Sequence, residues 1–342
     1  MAQPERFRRQ AAACASLGSP LYAELLVRAA DDLEAAGVTA DTLAGYEHAA
    51  PGAAVALRLT GAVHRLVLAR QAPELALHYP SVGGRYVAGD VATDDEIWRL
   101  FRGVLDQHHD AVRETLTRPP QTNETGRSLP LLGSLAVVST RSGGRPVRLV
   151  EIGSSAGLNL RAEALAPIHR PEDLRALPTG PPYTVVDRLG CDLDPVDPTT
   201  TEGRLTICSY VWPDDLRRFA RLRAALAIAG RVPAQVRRLG AAALLRDVRP
   251  VDGQVTVLWQ SVMWQYLRDD EQRDVLRERD RLAESATANS PFAHVTFEPP
   301  EASAKDFAVR LRWSAGQGLS DQLLGTAPPH GVPVRWLVPP TP

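Results

Sequence analysis

The chain changes its hydrophobic period near residue 145, and that change limits the fold more than any other feature. Before it, apolar residues recur as they do on helices. Ser19-Pro20 reads as a cap followed by a proline at the first helical position, opening "LYAELLVRAADDLEAAG" and closing at Gly37. "GAAVALRLTGAVHRLVLARQ" is apolar nearly all round, the pattern of a buried central helix. Thr93-Asp94 begins a third long helix, "DEIWRLFRGVLDQHHDAVRETL", which stops before Pro119-Pro120. No strand pattern appears here, so residues 1–120 are expected to form a helical region. Residues 121–145 supply a polar linker and a bridging helix, "LPLLGSLAVVSTRSGG".

From 146 to 342 short β-rich runs alternate with helical ones. The β-rich runs are "VRLVEI", "YTVVDRLGCDL", "AQVRRL", "VTVLWQS", "AHVTFEP", "FAVRLRW" and "PVRWLVP". Such alternation predicts an α/β domain with a mostly parallel sheet and helices on both faces. The last runs follow one another without long helices, which predicts an antiparallel finish at one edge. Pro167 to Pro182 is proline-rich and reads as an irregular insertion.

The sharpest local signal is "VRLVEIGSSAGLNL", Val147 to Leu160, a buried strand followed by a glycine-rich turn and a helix. Two chemistries fit it. Glu151-x-Gly153-x-Ser155-x-Gly157 is close to the loop that cradles S-adenosylmethionine (SAM) in Rossmann-like methyltransferases. Gly153-Ser154-Ser155-Ala156-Gly157 also fits G-x-S-x-G, the nucleophile elbow of serine hydrolases. An elbow follows several earlier strands and an oxyanion-hole segment, and nothing upstream here reads as sheet. A hydrolase using Ser155, with Asp252 and His294 downstream, therefore ranks behind the cradle. In the cradle reading the strand is the first of the sheet, and the glycines let backbone N–H groups approach a ligand. The helix beyond would present its partly positive end. The dinucleotide pattern G-x-G-x-x-G is absent, which disfavours NAD.

A SAM site also needs an acid at the end of the second strand, accepting from the ribose hydroxyls. "LGCDLDPVD" supplies Asp192, with Asp194 as a second candidate. After the third strand, Gly240 and Ala241 stand where an acid would meet the adenine amino group. After the fourth, "LWQSVMWQYL" places Trp259, Gln260, Ser261, Trp264 and Tyr266 at the mouth where open α/β sheets bind ligands. In "QTNETGR", Gln121 to Arg127, Asn123 and Glu124 offer acceptors and Arg127 a planar donor fork. These side chains either line a cleft or cap helices and lock an interface. His108 and His109 point to different sides of one helix and make no metal pair, leaving His109 alone as a candidate base.

Composition narrows the function classes. Formal net charge is -1, from 39 basic and 40 acidic residues, so no overall positive field would attract nucleic acid. Cys14, Cys191 and Cys208 show no CxxC spacing, which argues against disulfides and zinc. No signal-peptide core and no apolar run of about 18 residues is present, so a cytoplasmic location and no membrane partner are expected.

With these pieces in place the chain resembles an uncharacterised bacterial family, domain of unknown function 2332, with a class I methyltransferase-like domain. The resemblance is carried by "QTNETGR", "VEIGSSAGLNL", "GCDLDPVD", "VWP" (Val211 to Pro213) and the final "HGVPVRWL", spread in order over most of the chain. It implies a helical N-terminal region on a SAM-methyltransferase-like, Rossmann-like sheet, without naming a substrate. The chain departs from the family at Arg238 to Ala242, where "RLGAA" replaces "RGDA". The expectation is a SAM-dependent methyltransferase acting on a small molecule, without metal. A methyltransferase-fold protein that binds a metabolite or partner without methylating it is the alternative. Glu151, Gly153, Ser155, Gly157, Asn159, Asp192, Gln260 and Ser261 would hold the cofactor. Gln121, Asn123, Arg127, Trp212, Trp264 and Tyr266 would meet the substrate, and the base would come from His109, Glu124 or Glu298.

Overall fold

Helix follows helix from Gln3 to Leu116 with no intervening strand in the computed structural model, which describes residues 2–301 and 304–338. The chain divides into two compact units. One runs to Thr122 and takes in Thr200–Ala220; the other holds Asn123–Thr199 and the chain from Arg221 onward.

In the helical unit, Ser19 caps the helix Pro20–Glu34 by accepting from the Tyr22 N–H, with Pro20 at the helix start as expected. The central helix Val55–Leu68 buries Leu59, Ala62, Val63, Leu66 and Val67, which explains its nearly all-round apolar sequence. The third expected helix is two helices, Val91–Gln107 and His109–Leu116. Between them His108 sits at φ -117° and ψ 28°, outside helical values. Residues 200–220 return to this unit. The helix Thr201–Ser209 lies beside the central helix, joined by Arg65 to Glu202 at 2.5 Å and by His64 Nδ1 to the Ser209 carbonyl at 3.1 Å. Gly61 makes the approach possible, since a Cβ there would lie 2.7 Å from the Tyr210 ring.

The other unit is mixed α/β around one sheet of eight strands. They are β1 (Val147–Ile152), β2 (Val185–Asp192), β3 (Gln235–Arg238), β4 (Val255–Ser261), β5 (Phe292–Glu298), β6 (Phe307–Ser314), β7 (Ser320–Ala327) and β8 (Arg335–Trp336). Their order is β3-β2-β1-β4-β5-β6-β7-β8. The first five pair in parallel; β6, β7 and β8 continue antiparallel, so the finish at one edge is as expected. The missed strand is β7, "SDQLLGTA". Its Ser320 and Asp321 are exposed and it carries no β-branched run, so the ladder with β6 makes the strand rather than its own propensity.

Alternate residues of the central strands serve two cores. Val147, Leu149, Val257 and Trp259 face one that includes the bridging helix Ser128–Ser142. Val150, Ile152 and Leu258 face the other, closed by the helices Ala241–Asp247 and Asp269–Glu284. Burial on both faces is why β1 and β4 show no strict apolar–polar alternation. Residues 167–182 hold only the short helix Pro171–Arg175 and a turn at Ala166–Ile168. Among the described residues no helix is long and apolar enough to cross a membrane, and the three cysteines are buried and form no disulfide.

Candidate functional site

The chain order reverses between β1 and β4, and the crevice at the C-terminal ends beside such a reversal is where open α/β sheets bind ligands. β1 enters it and turns at once through left-handed backbone at Gly153 (φ +70°), Ser155 (+52°) and Gly157 (+64°). Only Ser155 bears a Cβ, at a backbone cost of about 1–2 kcal/mol. Asp192, the last residue of β2, holds it there. Asp192 Oδ2 accepts the Ser155 N–H at 2.8 Å, and Oδ1 accepts the Asp194 N–H at 2.9 Å. Loop and acid, 37 residues apart, are thus in direct contact.

The glycines of this loop serve packing as well as turning. A Cβ on Gly153 would lie 2.9 Å from Met263, and one on Gly157 would lie 2.7 Å from Val236. Gly190 of β2 is bare because Ser154 fills the space a Cβ would take. Ser154 in turn donates to the Glu151 carbonyl at 2.8 Å. The helix expected after the loop is reduced to a 3-10 turn, Asn159–Arg161, and the four-residue helix Ala162–Leu165, before the turn containing Pro167. So short a helix offers little dipole to a ligand.

Asn123, Glu124 and Arg127 also meet this region, each engaged with protein. Asn123 Oδ1 accepts the Leu158 N–H at 2.8 Å, and Asn159 Nδ2 donates to the Glu124 carbonyl at 3.3 Å. The Glu124 carboxylate accepts the Gly126 N–H at 2.9 Å and faces Arg221 at 3.6 Å. Arg127 donates from Nε to the Pro329 carbonyl at 3.2 Å and from Nη1 to Ser261 O at 3.4 Å. A Cβ on Gly126 would strike the His330 carbonyl, and one on Gly331 would strike Arg127. "QTNETGR" and "HGVP" therefore pack together, although 202 residues separate Arg127 from Pro329.

A second polar centre lies at the ends of β4 and β5. Glu298 Oε1 accepts from Gln260 Nε2 at 3.2 Å, from the Met263 N–H at 3.1 Å and from the Trp264 N–H at 3.3 Å. Gln260 Oε1 lies 3.0 Å from His294 Nε2. Since that oxygen only accepts, Nε2 carries the proton, and buried Nδ1 is left without a partner. Burial and the facing charges of Arg312 and Arg279 push His294 well below its ordinary value, so it is neutral. Burial raises Glu298, while the hydrogen bonds from Met263, Gln260 and Trp264, and then the Arg127 charge, partly oppose the shift. Glu151, beside Trp259 in the ladder, is 2% exposed. Burial, and then the Asp192 charge, push its carboxyl well above the usual range; the nearby Trp259 side chain, Arg161 and Arg127 act the other way. Glu151 Oε2 and Glu298 Oε2 are both buried with no hydrogen-bond partner. The arrangement can accept hydrogen bonds from a ligand at two buried carboxyls, Glu151 and Glu298, that hold protons more tightly than exposed ones do.

The remaining candidates are dispersed. Trp264 is half-buried on the loop after β4, and Tyr266 is 65% exposed. Trp212 and Gln121 are buried in the helical unit, where the Arg218 guanidinium lies 5.8 Å from the Trp212 ring. His109 also belongs to that unit, its Nδ1 3.4 Å from Asp110. Asp252 precedes β4 whereas Ser155 follows β1; the two strands are parallel, so these residues stand at opposite ends of the sheet. With His294 Nε2 held by Gln260, the triad that a Ser155 hydrolase requires is not assembled from Asp252 and His294. Two buried residues escaped the sequence reading. His169 Nε2 meets Ser128 Oγ at 2.7 Å, and Arg161 lies directly after the loop. Neither belongs to a periodic or spaced pattern.

No curated protein matches the chain. Among solved structures, the CcbJ methyltransferase from Streptomyces caelestis is similar at 16% identity and a TM-score of 0.24, covering 65% of this chain and 77% of that one. The family model described as "Uncharacterized protein conserved in bacteria (DUF2332)" matches residues 4–336, nearly the whole chain, and the chain belongs to that family.

Proposed function

We propose that the chain is a SAM-dependent methyltransferase acting on a small molecule, built on a Rossmann-like sheet of order 3-2-1-4-5 with an antiparallel extension. The observation that carries this reading is the grip of Asp192 on Ser155 at the switch point, since it joins the two parts a SAM site needs. The residues present fit the ribose and amino-acid end of SAM. Asp192 keeps lone pairs beyond the two it gives the loop, and Glu151 Oε2 is a buried acceptor with no protein partner. Gly153, Ser155, Gly157 and Asn159 would frame that end, with Gln260 and Ser261 across the crevice. Bound SAM would supply an electrophilic methyl group.

The chain's own part is positioning and proton handling. Fixing the acceptor in line and excluding water accounts for much of the rate in such a transfer. Glu298 takes the role of base ahead of Glu124 and His109. Its Oε2 is open, and burial raises its basicity toward neutral pH. The Glu124 carboxylate, by contrast, is committed to Gly126 and Arg221. Trp264, Tyr266 and Arg127 would shape the acceptor's side of the crevice.

A second reading, binding without methylation, is favoured by one specific feature. Gly240 and Ala241 leave the adenine side without an acid, and Gly240 has open space around its Cα. Calorimetric titration with SAM and S-adenosylhomocysteine separates the readings. Binding of both, abolished in Asp192→Ala, is expected; silence at millimolar cofactor sinks the methyltransferase. Binding without methyl transfer to any tested acceptor favours the second reading.

A further inference from the structure

We propose that the cleft beside the edge strand β3 binds the oxyanion group, carboxylate or phosphate, of a small molecule, with Arg161 as its anchor. The cleft has a volume of about 620 Å³, inside the range of small-molecule sites. Val196, Pro198 and Val236 give it apolar walls, and Arg161, Asp197 and Gln235 supply polar groups.

Arg161 is 4% exposed. Its Nε donates to the Val232 carbonyl at 2.6 Å and its Nη1 to the Gly157 carbonyl at 2.7 Å. These two carbonyls fix the plane of the guanidinium without forming an ion pair, and the charges of Glu151, Asp197 and Glu163 reach it only from a distance. Among the described residues no carboxylate lies within 4.0 Å of it, and Nη2 has no hydrogen-bond partner. Glu163, the nearest acid in sequence, is ion-paired with Arg188, whose own charge also bears on Arg161.

A buried guanidinium with no carboxylate in direct contact is an expensive arrangement to keep in a fold. A planar donor fork, already oriented and facing a cleft, is matched to an oxyanion. Asp197, on the same cleft, acts on Arg161 through its charge but makes no ion pair with it within 4.0 Å. It turns its Oδ1 back to the Thr199 N–H at 2.8 Å and the Thr199 hydroxyl at 2.6 Å. Arg231 adds a second guanidinium at the exposed rim, so cations exceed acids in the lining. The apolar walls suit an organic body attached to the anion. This site stands whether or not SAM binds at the ends of β1 and β2.

Calorimetric titration of the full chain with phenyl phosphate, benzoate and phenol at constant ionic strength tests the assignment. One or both anions are expected to bind while phenol stays silent, and the preferred anion distinguishes phosphate from carboxylate. Arg161→Gln is expected to weaken binding about tenfold or more. Gln235→Trp fills the cleft from an exposed position without touching Arg161, and is expected to abolish binding. Circular dichroism establishes that each variant is folded. No binding of either anion to the unaltered protein, equal binding of phenol, or undiminished binding in a folded variant overturns the proposal.

Discussion

The Ser155 N–H donates to Asp192 Oδ2 over 2.8 Å, so the end of β2 holds the turn after β1 in its left-handed conformation. Asp192→Ala removes the acceptor of both the Ser155 and Asp194 N–H groups. A loss of about 1–3 kcal/mol is expected in urea unfolding. Asp192→Asn keeps one acceptor oxygen and should lose less. Equal losses would show that the charge, not the acceptor geometry, holds the loop.

Glu151 makes stability depend on pH in an unusual direction. Its folded-state value lies well above the ordinary 4.5, because burial and the Asp192 charge disfavour the carboxylate. The folded protein therefore binds the proton more tightly than the unfolded chain. Its contribution is fully present below pH 4.5 and is lost as pH rises toward the folded value, by at most about 1.4 kcal/mol per pH unit. Glu151→Gln should remove that loss. Urea midpoints of the two proteins should diverge as pH rises above 4.5, with the variant gaining; parallel curves would refute the assignment.

His169 acts with the opposite sign. Burial first, and the Arg221 charge second, lower it from 6.5 to about 4. The Ser128 hydroxyl donates to the Thr125 carbonyl at 2.7 Å, so it accepts from His169 Nε2–H. Here the unfolded chain binds the proton more readily. The stability is present above pH 6.5 and is lost as pH falls through about 4, a change of about 3 kcal/mol at most. His169→Gln can still donate to Ser128 and should flatten acid unfolding in that window. His64, also lowered to about 4 by burial, supplies a similar acid sensitivity in the helical unit and remains as the internal control.

The sequence carried the fold further than the site, for reasons visible in particular residues. β4 was legible to the residue because Val255, Val257 and Trp259 serve one core and Leu258 the other. β7 was not, since its pairing with β6 lies outside any local pattern. The helix beyond Gly157 was expected from the motif, but the chain runs into short turns before Pro167. Asp192 stood out in the sequence because an acid at the end of a second strand has a chemical reason to be there, and the structure sets it against Ser155. The contact of Arg127 with Pro329 and the burial of Arg161 depend on tertiary packing alone, and no spacing announces them.

Ser155 is the residue on which the two motif readings collide, and a labelling experiment separates them. A nucleophilic serine needs a base within hydrogen-bond reach. The two described histidines buried in this unit give their Nε2 atoms elsewhere, His294 to Gln260 and His169 to Ser128. Ser155 itself is 7% exposed, which restricts any electrophile's approach. Fluorophosphonate labelling should therefore be equally low in the unaltered protein and in Ser155→Ala. Ser155→Gly restores the residue that the left-handed turn prefers. It recovers about 1–2 kcal/mol of backbone cost and loses about 0.4–1 kcal/mol to the freer unfolded chain. Its net effect on stability should stay within about 1 kcal/mol in urea unfolding. Strong labelling that disappears in Ser155→Ala would instead return the loop to the hydrolase reading, and with it the need for a base other than His294.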